Sequence, residues 1–202
     1  SMRGGKSMSY LHIENLYKCQ SILLFRECFS LEKVHGTSAH IGWTPQGLSY
    51  FSGGESHERF KALFDHAKLH EGFMALGHAV VTIYGEAHGG KCQGMKKVYG
   101  EALRFIAFDV RIGESWLSVP DAEQVCAGLG IEFVPYAKVA TDLASLDAER
   151  DRPSEVALRR GLGEHPPKLG NHLASSGGVE SRRLLQVVFD HAAGLIRQPQ
   201  IA

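Results

Sequence analysis

The string Leu31-Glu32-Lys33-Val34-His35-Gly36-Thr37-Ser38-Ala39-His40 concentrates more potential chemistry than any other stretch of this sequence. It sets a lysine in a turn ahead of Gly36 and Thr37, with a strand expected to follow. A lysine so placed presents a primary amine at one point. The glycine lets a phosphate approach the backbone closely, and neighbouring groups can hold the amine in line with it. In water the amine is protonated and has no lone pair for attack. A covalent role therefore requires partial desolvation or nearby cations, such as a metal ion or a second lysine. Taken alone, the string is equally a surface turn.

Two further stretches place reactive types beside strand patterns. Tyr84-Gly85-Glu86-Ala87-His88-Gly89-Gly90-Lys91-Cys92-Gln93 puts a glutamate at a strand end ahead of a glycine-rich loop. Phe105-Ile106-Ala107-Phe108-Asp109-Val110 puts an aromatic residue and an aspartate in a strongly strand-like run. Lys91, Lys96 and Lys97, with Tyr99, form the best candidate loop for facing phosphate, and the alternative is a solvated charged loop. Glu86 alone could be a solvated strand end, Phe108 a core residue and Asp109 a turn cap or a support for a metal ligand. His66 and His70 stand one helical turn apart, but no third ligand is placed by spacing, so no metal is assigned to them.

The positions of these groups depend on the elements around them. Ser38–Trp43 and Gly47–Phe51 read as strands joined by a turn over Thr44-Pro45-Gln46-Gly47. Ser56–Leu76 reads as one helix capped by Ser56, with Phe60, Leu63, Phe64, Ala67 and the Phe73/Met74 pair at helical spacing. Ala79–Glu86, Leu103–Ile112 and Ile131–Tyr136 read as strands, and Pro120–Gly128 as a short helix; Ile22–Ser30 is apolar and ambiguous. Without regular alternation of strand and helix, the pattern points to an α+β fold with antiparallel sheets.

Composition narrows the class. The 202 residues suit one domain with a short appendage, and 44% hydrophobic with 22% charged residues excludes a disordered chain. With 22 basic against 22 acidic residues, nucleic-acid contact must come from a local patch. Cys19, Cys28, Cys92 and Cys126 form no CxxC pair, which reads as a cytoplasmic protein with free thiols. No apolar run approaches the ~20 residues of a membrane span.

Glu32-Lys33-Val34-His35-Gly36-Thr37 resembles the nucleotidyl-acceptor motif of ATP-dependent RNA ligases related to phage T4 RNA ligase 2, within the covalent nucleotidyltransferase superfamily. Tyr84–Gln93 and Phe105–Val110 are similar to two later blocks of that family, in order, and Phe51-Ser52-Gly53-Gly54 to the segment before its first long helix. The matches span Met8 to Tyr136. The resemblance implies a nucleotidyltransferase (ATP-grasp-like ligase) domain, with antiparallel sheets and flanking helices around an ATP cleft. It further implies that Lys33 attacks the α-phosphate of ATP, releases pyrophosphate and holds AMP. Glu32 would sit beside the adenine, Glu86 would accept a hydrogen bond from the ribose and Phe108 would stack on the base. His35 and Gly36 complete the nucleotide-binding set. Magnesium would offset the triphosphate charge, and RNA ends would receive the AMP and be sealed.

The sequence also departs from the family. The usual arginine near Phe51–Gly54 has no clear counterpart. A Glu-Gly-apolar-apolar-x-Arg strand and a late Lys-x-Lys strand are missing after Tyr136, and nothing carries over to Arg159, Arg160, Gly161 or Lys168. A one-base shift in a back-translation of Gly170–Glu180 permits Gly-Ile-Ile-Leu-Arg-Pro-Pro-Val-Glu-Leu, similar to the first missing strand. The expected organisation is a leader or tag over 1–7, a ligase-like domain over 8–170 that is incomplete at its end, and an out-of-frame tail over 171–202. Residues 180–197 are expected to form an amphipathic helix able to cover a sheet edge or pair two copies. Other readings are a truncated domain that binds ATP or RNA without ligating, and a structural domain that dimerises through this helix.

Overall fold

The computed structural model describes residues 9–10, 13–15, 21–162, 170–175, 184–188 and 195–199, with 13–15 and the last three segments described as backbone. The leader over 1–7, Cys19 and Lys168 lie outside the described residues. Two antiparallel sheets with flanking helices make an α+β fold, as the patterning predicts.

The first sheet is antiparallel and has five strands. β3 (Thr37–Thr44) turns back into β4 (Gly47–Ser52) and pairs on its other edge with β5 (Val81–His88); β6 (Arg104–Ile112) and β7 (Ser115–Trp116) follow. Alternation assigns the two faces. Ala39, Ile41 and Trp43 of β3, Val81 and Ile83 of β5 and Val110 of β6 are buried on one face. There Trp43 stacks on Phe73 at 5.7 Å and Phe60 meets Phe105 edge-on at 5.5 Å. His40, Tyr84, Glu86 and His88 belong to the other face.

The helices on the core face depart from the single one expected over Ser56–Leu76. α1 (His57–Lys61), capped by Ser56, stops at Ala62, and α2 (His66–Leu76) starts afresh. Asp65 is the reason: its carboxylate accepts the Lys68 N–H at 3.1 Å, a cap that competes with continuing the helix. Gly77, left-handed at φ 73°, ends α2. α4 (Val119–Gly128) lays Val119, Ala122 and Cys126 on the core and is capped by Ser118.

The second sheet collects strands from distant parts of the chain. Its order is β1 (Ile13–Asn15), β11 (Leu195–Pro199), β10 (Leu184–Val188), β9 (Gly170–Ser175), β2 (Glu27–Glu32), β8 (Tyr136–Ala140). The strand expected over Ile131–Tyr136 is displaced towards the C-terminus. Pro135 has no N–H to donate and contributes only its carbonyl, which accepts from Glu32 N at 2.9 Å, and the paired strand starts at Tyr136. Phe133 keeps only an isolated bridge to Ala107. α5 (Leu143–Arg150) and α6 (Glu155–Arg159) lead to β9.

The terminal helix expected over 180–197 is not found in the described part of that segment. Residues 184–188 and 195–199 are paired strands, with Val187 opposite Ile196 and Gln186 opposite His172. The apolar pairs Leu184/Leu185, Val187/Val188 and Leu195/Ile196 suit a strand as well as a helical stripe, and pairing partners decided the matter. Dimerisation through a C-terminal helix loses its element. Among the described residues, no helix is long and apolar enough to cross a membrane.

Candidate active site

β2 ends at Glu32, so Lys33 is the first residue beyond a central strand whose last residues, Ser30, Leu31 and Glu32, are buried. The turn from Lys33 to Gly36 crosses from the second sheet to the first. It is held at three points. Gly36 N–H donates to Glu86 Oε1 at 3.1 Å, and His35 N–H donates to the hydroxyl of Tyr99, which is 1% exposed. Gly36 also lies so close to β5 that a Cβ added to it would stand 2.0 Å from the Ala87 carbonyl oxygen. Thr37 Oγ1 accepts from Gly54 N–H, joining the Ser52–Gly54 segment to the same turn.

The charges are arranged around Lys33. Burial raises the Glu86 carboxyl to about 7, against the pull of the Lys33 ammonium and the Gly36 N–H. Burial, with the Lys33 charge beside it, lowers the pKa of His35 and keeps its imidazole neutral. The Tyr99 hydroxyl is pushed well above its ordinary value, chiefly by burial. His88, 0% exposed, is lowered to about 4 by burial and the Arg160 guanidinium. His35 and Glu86, the latter poised near neutrality, thus both feel the charge of one amine, while Tyr99 holds the His35 backbone.

The Glu86 shift has a signed consequence for stability. The folded carboxyl holds its proton more tightly than the unfolded one at 4.5, so its neutral form favours the fold below about 4.5. That contribution is lost as pH rises to about 7. Glu86→Gln keeps an acceptor for Gly36 and never ionises. Its unfolding free energy relative to wild type should therefore improve between pH 5 and pH 8, which urea titrations at the two values would measure. A gap that stays constant would remove the burial argument.

The other sequence candidates divide. The Glu32 carboxylate is bonded by the Ser154 hydroxyl, by Glu155 N–H at 3.0 Å and by Val156 N–H at 3.3 Å. It fastens the start of α6 to β2: only 4% exposed and carrying these donors, the carboxylate anchors the fold. Phe108 is the extra residue of a β-bulge, since Tyr84 pairs with Asp109 and Gly85 with Ala107. Its ring meets Tyr10 edge-on at 4.9 Å, and Tyr10 donates to Asp109 Oδ2 at 2.7 Å. Lys91, Lys96 and Lys97 are exposed on the loop and on α3 (Lys96–Tyr99), with Lys96 paired to Glu101.

His66 bonds Tyr50 and His70 accepts from Trp43, which gives both a packing role. No group of three potential metal ligands occurs among the described residues. Cys28, Cys92 and Cys126 are free thiols, each raised by burial. A cavity of about 540 Å³ lined by Leu63, Phe64, Phe105 and Ile131 lies on the core side of the first sheet and includes none of these residues. Sequence reasoning missed Tyr10, Glu132 and Ser154, and gave Arg160 no role. Ser154 could have been found as the cap ahead of Glu155–Arg159; the others carry no local signal.

A family model described as RNA ligase matches residues 26–172. The chain belongs to the RNA ligase family. No curated protein matches it. Solved structures agree on the fold. A variant of the Naegleria gruberi RNA ligase with ATP and Mn superposes with a TM-score of 0.66 at 14% identity, covering 86% of this chain and 54% of that one. Another variant, with AMP and Mn, gives 0.65 at 14% identity over 85% and 53%. The same ligase with PPi gives 0.63 at 14% identity over 87% and 58%. The chain spans about half the length of these ligases. For this RNA ligase family member, the matched region runs from just before β2 into β9 and so includes Lys33, Glu86 and Phe108.

Proposed function

We propose that this chain is an ATP-dependent RNA ligase-like nucleotidyltransferase with Lys33 as its nucleophile. The observation that carries the reading is the joint at Gly36: a backbone pressed against β5 brings Lys33 and Glu86 together in a chain of this family. The Lys33 amine, once deprotonated, attacks the α-phosphorus of ATP. A nitrogen–phosphorus bond forms, the bond to the bridging oxygen breaks, and pyrophosphate leaves with the electron pair. The AMP then passes to an RNA 5′-phosphate, and a 3′-hydroxyl displaces it to seal the strand.

The remaining residues bind and orient. Glu86 takes the ribose hydroxyl, Phe108 provides an aromatic wall for the base, and neutral His35 lies beside the phosphates. Lys91, Lys96 and Lys97 offer exposed charge to the RNA backbone. The described residues form no three-ligand cluster, so a divalent cation such as magnesium would be held largely by the ATP phosphates, as is usual for that ion. When bound it supplies charge neutralisation on the triphosphate.

Intact mass after incubation with ATP and magnesium tests this reading. A gain of one AMP, mapped to the peptide carrying Lys33 and reversed by pyrophosphate, is the expected result. No gain with ATP still bound would instead identify a nucleotide-binding relative that does not transfer.

A further inference from the structure

Behind the Lys33 turn lies a buried polar chain that the function above does not use. The Arg160 side chain, 7% exposed, is gripped by Glu132: Nη1 donates to Oε2 at 3.1 Å and Nη2 to Oε1 at 2.6 Å. Burial pushes the Glu132 carboxyl up, but its bonds and charge contact with Arg160 outweigh this and hold it below the ordinary value. Arg160 Nη2 also lies 3.0 Å from His88 Nε2. A guanidinium has only donors, so His88 Nε2 must accept and the ring proton must sit on Nδ1. That nitrogen is 3.4 Å from the carbonyl oxygen of Glu86. The ring of His88 also packs edge-on against Tyr99 at 5.4 Å, and Tyr99 accepts the His35 N–H.

One guanidinium therefore connects to both residues that feel the Lys33 charge. Through His88 Nδ1 it holds the backbone of Glu86, and through the Tyr99 ring it backs the bond to His35. The charged groups acting on His88 are Arg160 at the end of α6, Arg104 on β6 and Glu132 ahead of β8. The neutral, single-tautomer ring follows from burial and from two cations against one carboxylate.

We infer that Arg160 is a positioning residue of the nucleotide site, acting through His88 to fix the end of β5 and with it Glu86 and the Lys33 turn. The inference rests on the nucleotidyl-transfer reading for its kinetic consequence, but the hydrogen-bond chain can be measured separately. A displacement of about 1 Å at a reacting centre commonly costs on the order of 100-fold in rate.

The test compares the full chain as wild type, Arg160→Met and Arg160→Lys. Nitrogen-15 spectra of labelled histidine would report the His88 tautomer, and single-turnover transfer of AMP from ATP would report rate constant and amplitude. Wild type should show Nδ1–H at pH 7. Arg160→Met should lose that signature and slow AMP transfer on the order of 100-fold at saturating ATP, with amplitude kept and KM for ATP changed less than about threefold. Arg160→Lys, which keeps the charge without the fork, should recover part of the rate. A merely structural residue would lower the amplitude, through misfolded protein, and leave the rate constant unchanged. That outcome, or wild-type tautomer and rate in Arg160→Met, overturns the inference. If wild type itself forms no adduct, the nucleotidyl-transfer reading fails. The tautomer then decides the positioning role by itself: it stands if Arg160→Met loses the Nδ1–H signature and falls if the signature is kept.

Discussion

Lys33→Arg should bind ATP within a few-fold of wild type and yet gain no AMP. Arginine keeps a cation where Glu86 and His35 feel one, so the electrostatic setting of the turn survives. Its guanidinium stays protonated at any working pH and offers no nitrogen lone pair for attack on phosphorus. Removing the nucleophile of a covalent route costs at least about 10⁴-fold in rate. Calorimetric ATP titration beside single-turnover mass spectrometry separates the two quantities. An adduct retained in this variant would place the nucleophile elsewhere, with Lys91, across the glycine loop from Glu86, the first candidate to map. Loss of ATP affinity together with transfer would make the Lys33 amine a binding group.

Gly36→Ala should cost both stability and activity. The added methyl would meet the Ala87 carbonyl oxygen at 2.0 Å, the Ala87 carbonyl carbon at 2.9 Å and the His88 Cα at 3.1 Å. All three are backbone atoms, so no side chain can rotate away. Either the turn lifts off β5 or β5 itself moves, and both break the Gly36 to Glu86 hydrogen bond. Forced overpacking of this kind costs about 3 kcal/mol, or roughly 6–12 °C in melting temperature for a chain of this size. AMP transfer should fall further than folding alone accounts for, because Lys33 shifts with the turn. Gly128→Ala is the matched control. That glycine has nothing within 4 Å of an added Cβ and sits at the end of α4, so alanine should be neutral or stabilising by about 0.5–1 kcal/mol. Equal melting temperatures for Gly36→Ala and wild type would show that the turn yields easily and that the close approach does not lock it.

The legible parts of this molecule are those written in local pattern. The β-branched run Val80–Ile83, the turn at Thr44–Gly47 and the cap at Ser56 specify their elements through nearest neighbours. Lys33, Gly36, Glu86 and Phe108 were legible because an ordered set of short motifs marked them. What escaped was decided across long separations. The Glu32 carboxylate could be placed only once α6 was known to dock on β2, and the Arg160 link to His88 joins segments with no motif in common. The break at Asp65 escaped because an apolar stripe at helical spacing continues across it. The strands at 184–188 and 195–199 escaped because paired apolar residues satisfy either period until a neighbouring edge selects one.

The order of strands in the second sheet also bears on how this protein is made. The five-stranded sheet draws all its strands from residues 37–116 and can form while the rest is still being synthesised. β2, which presents Lys33, cannot. Its two edges are completed by residues 136–140 and 170–175, and its last carboxylate by the start of α6. Until those segments leave the ribosome, the strand that leads to Lys33 has open hydrogen-bonding edges on both sides. A nascent chain would thus complete the sheet that carries Glu86 before the strand preceding Lys33 has gained either of its neighbours.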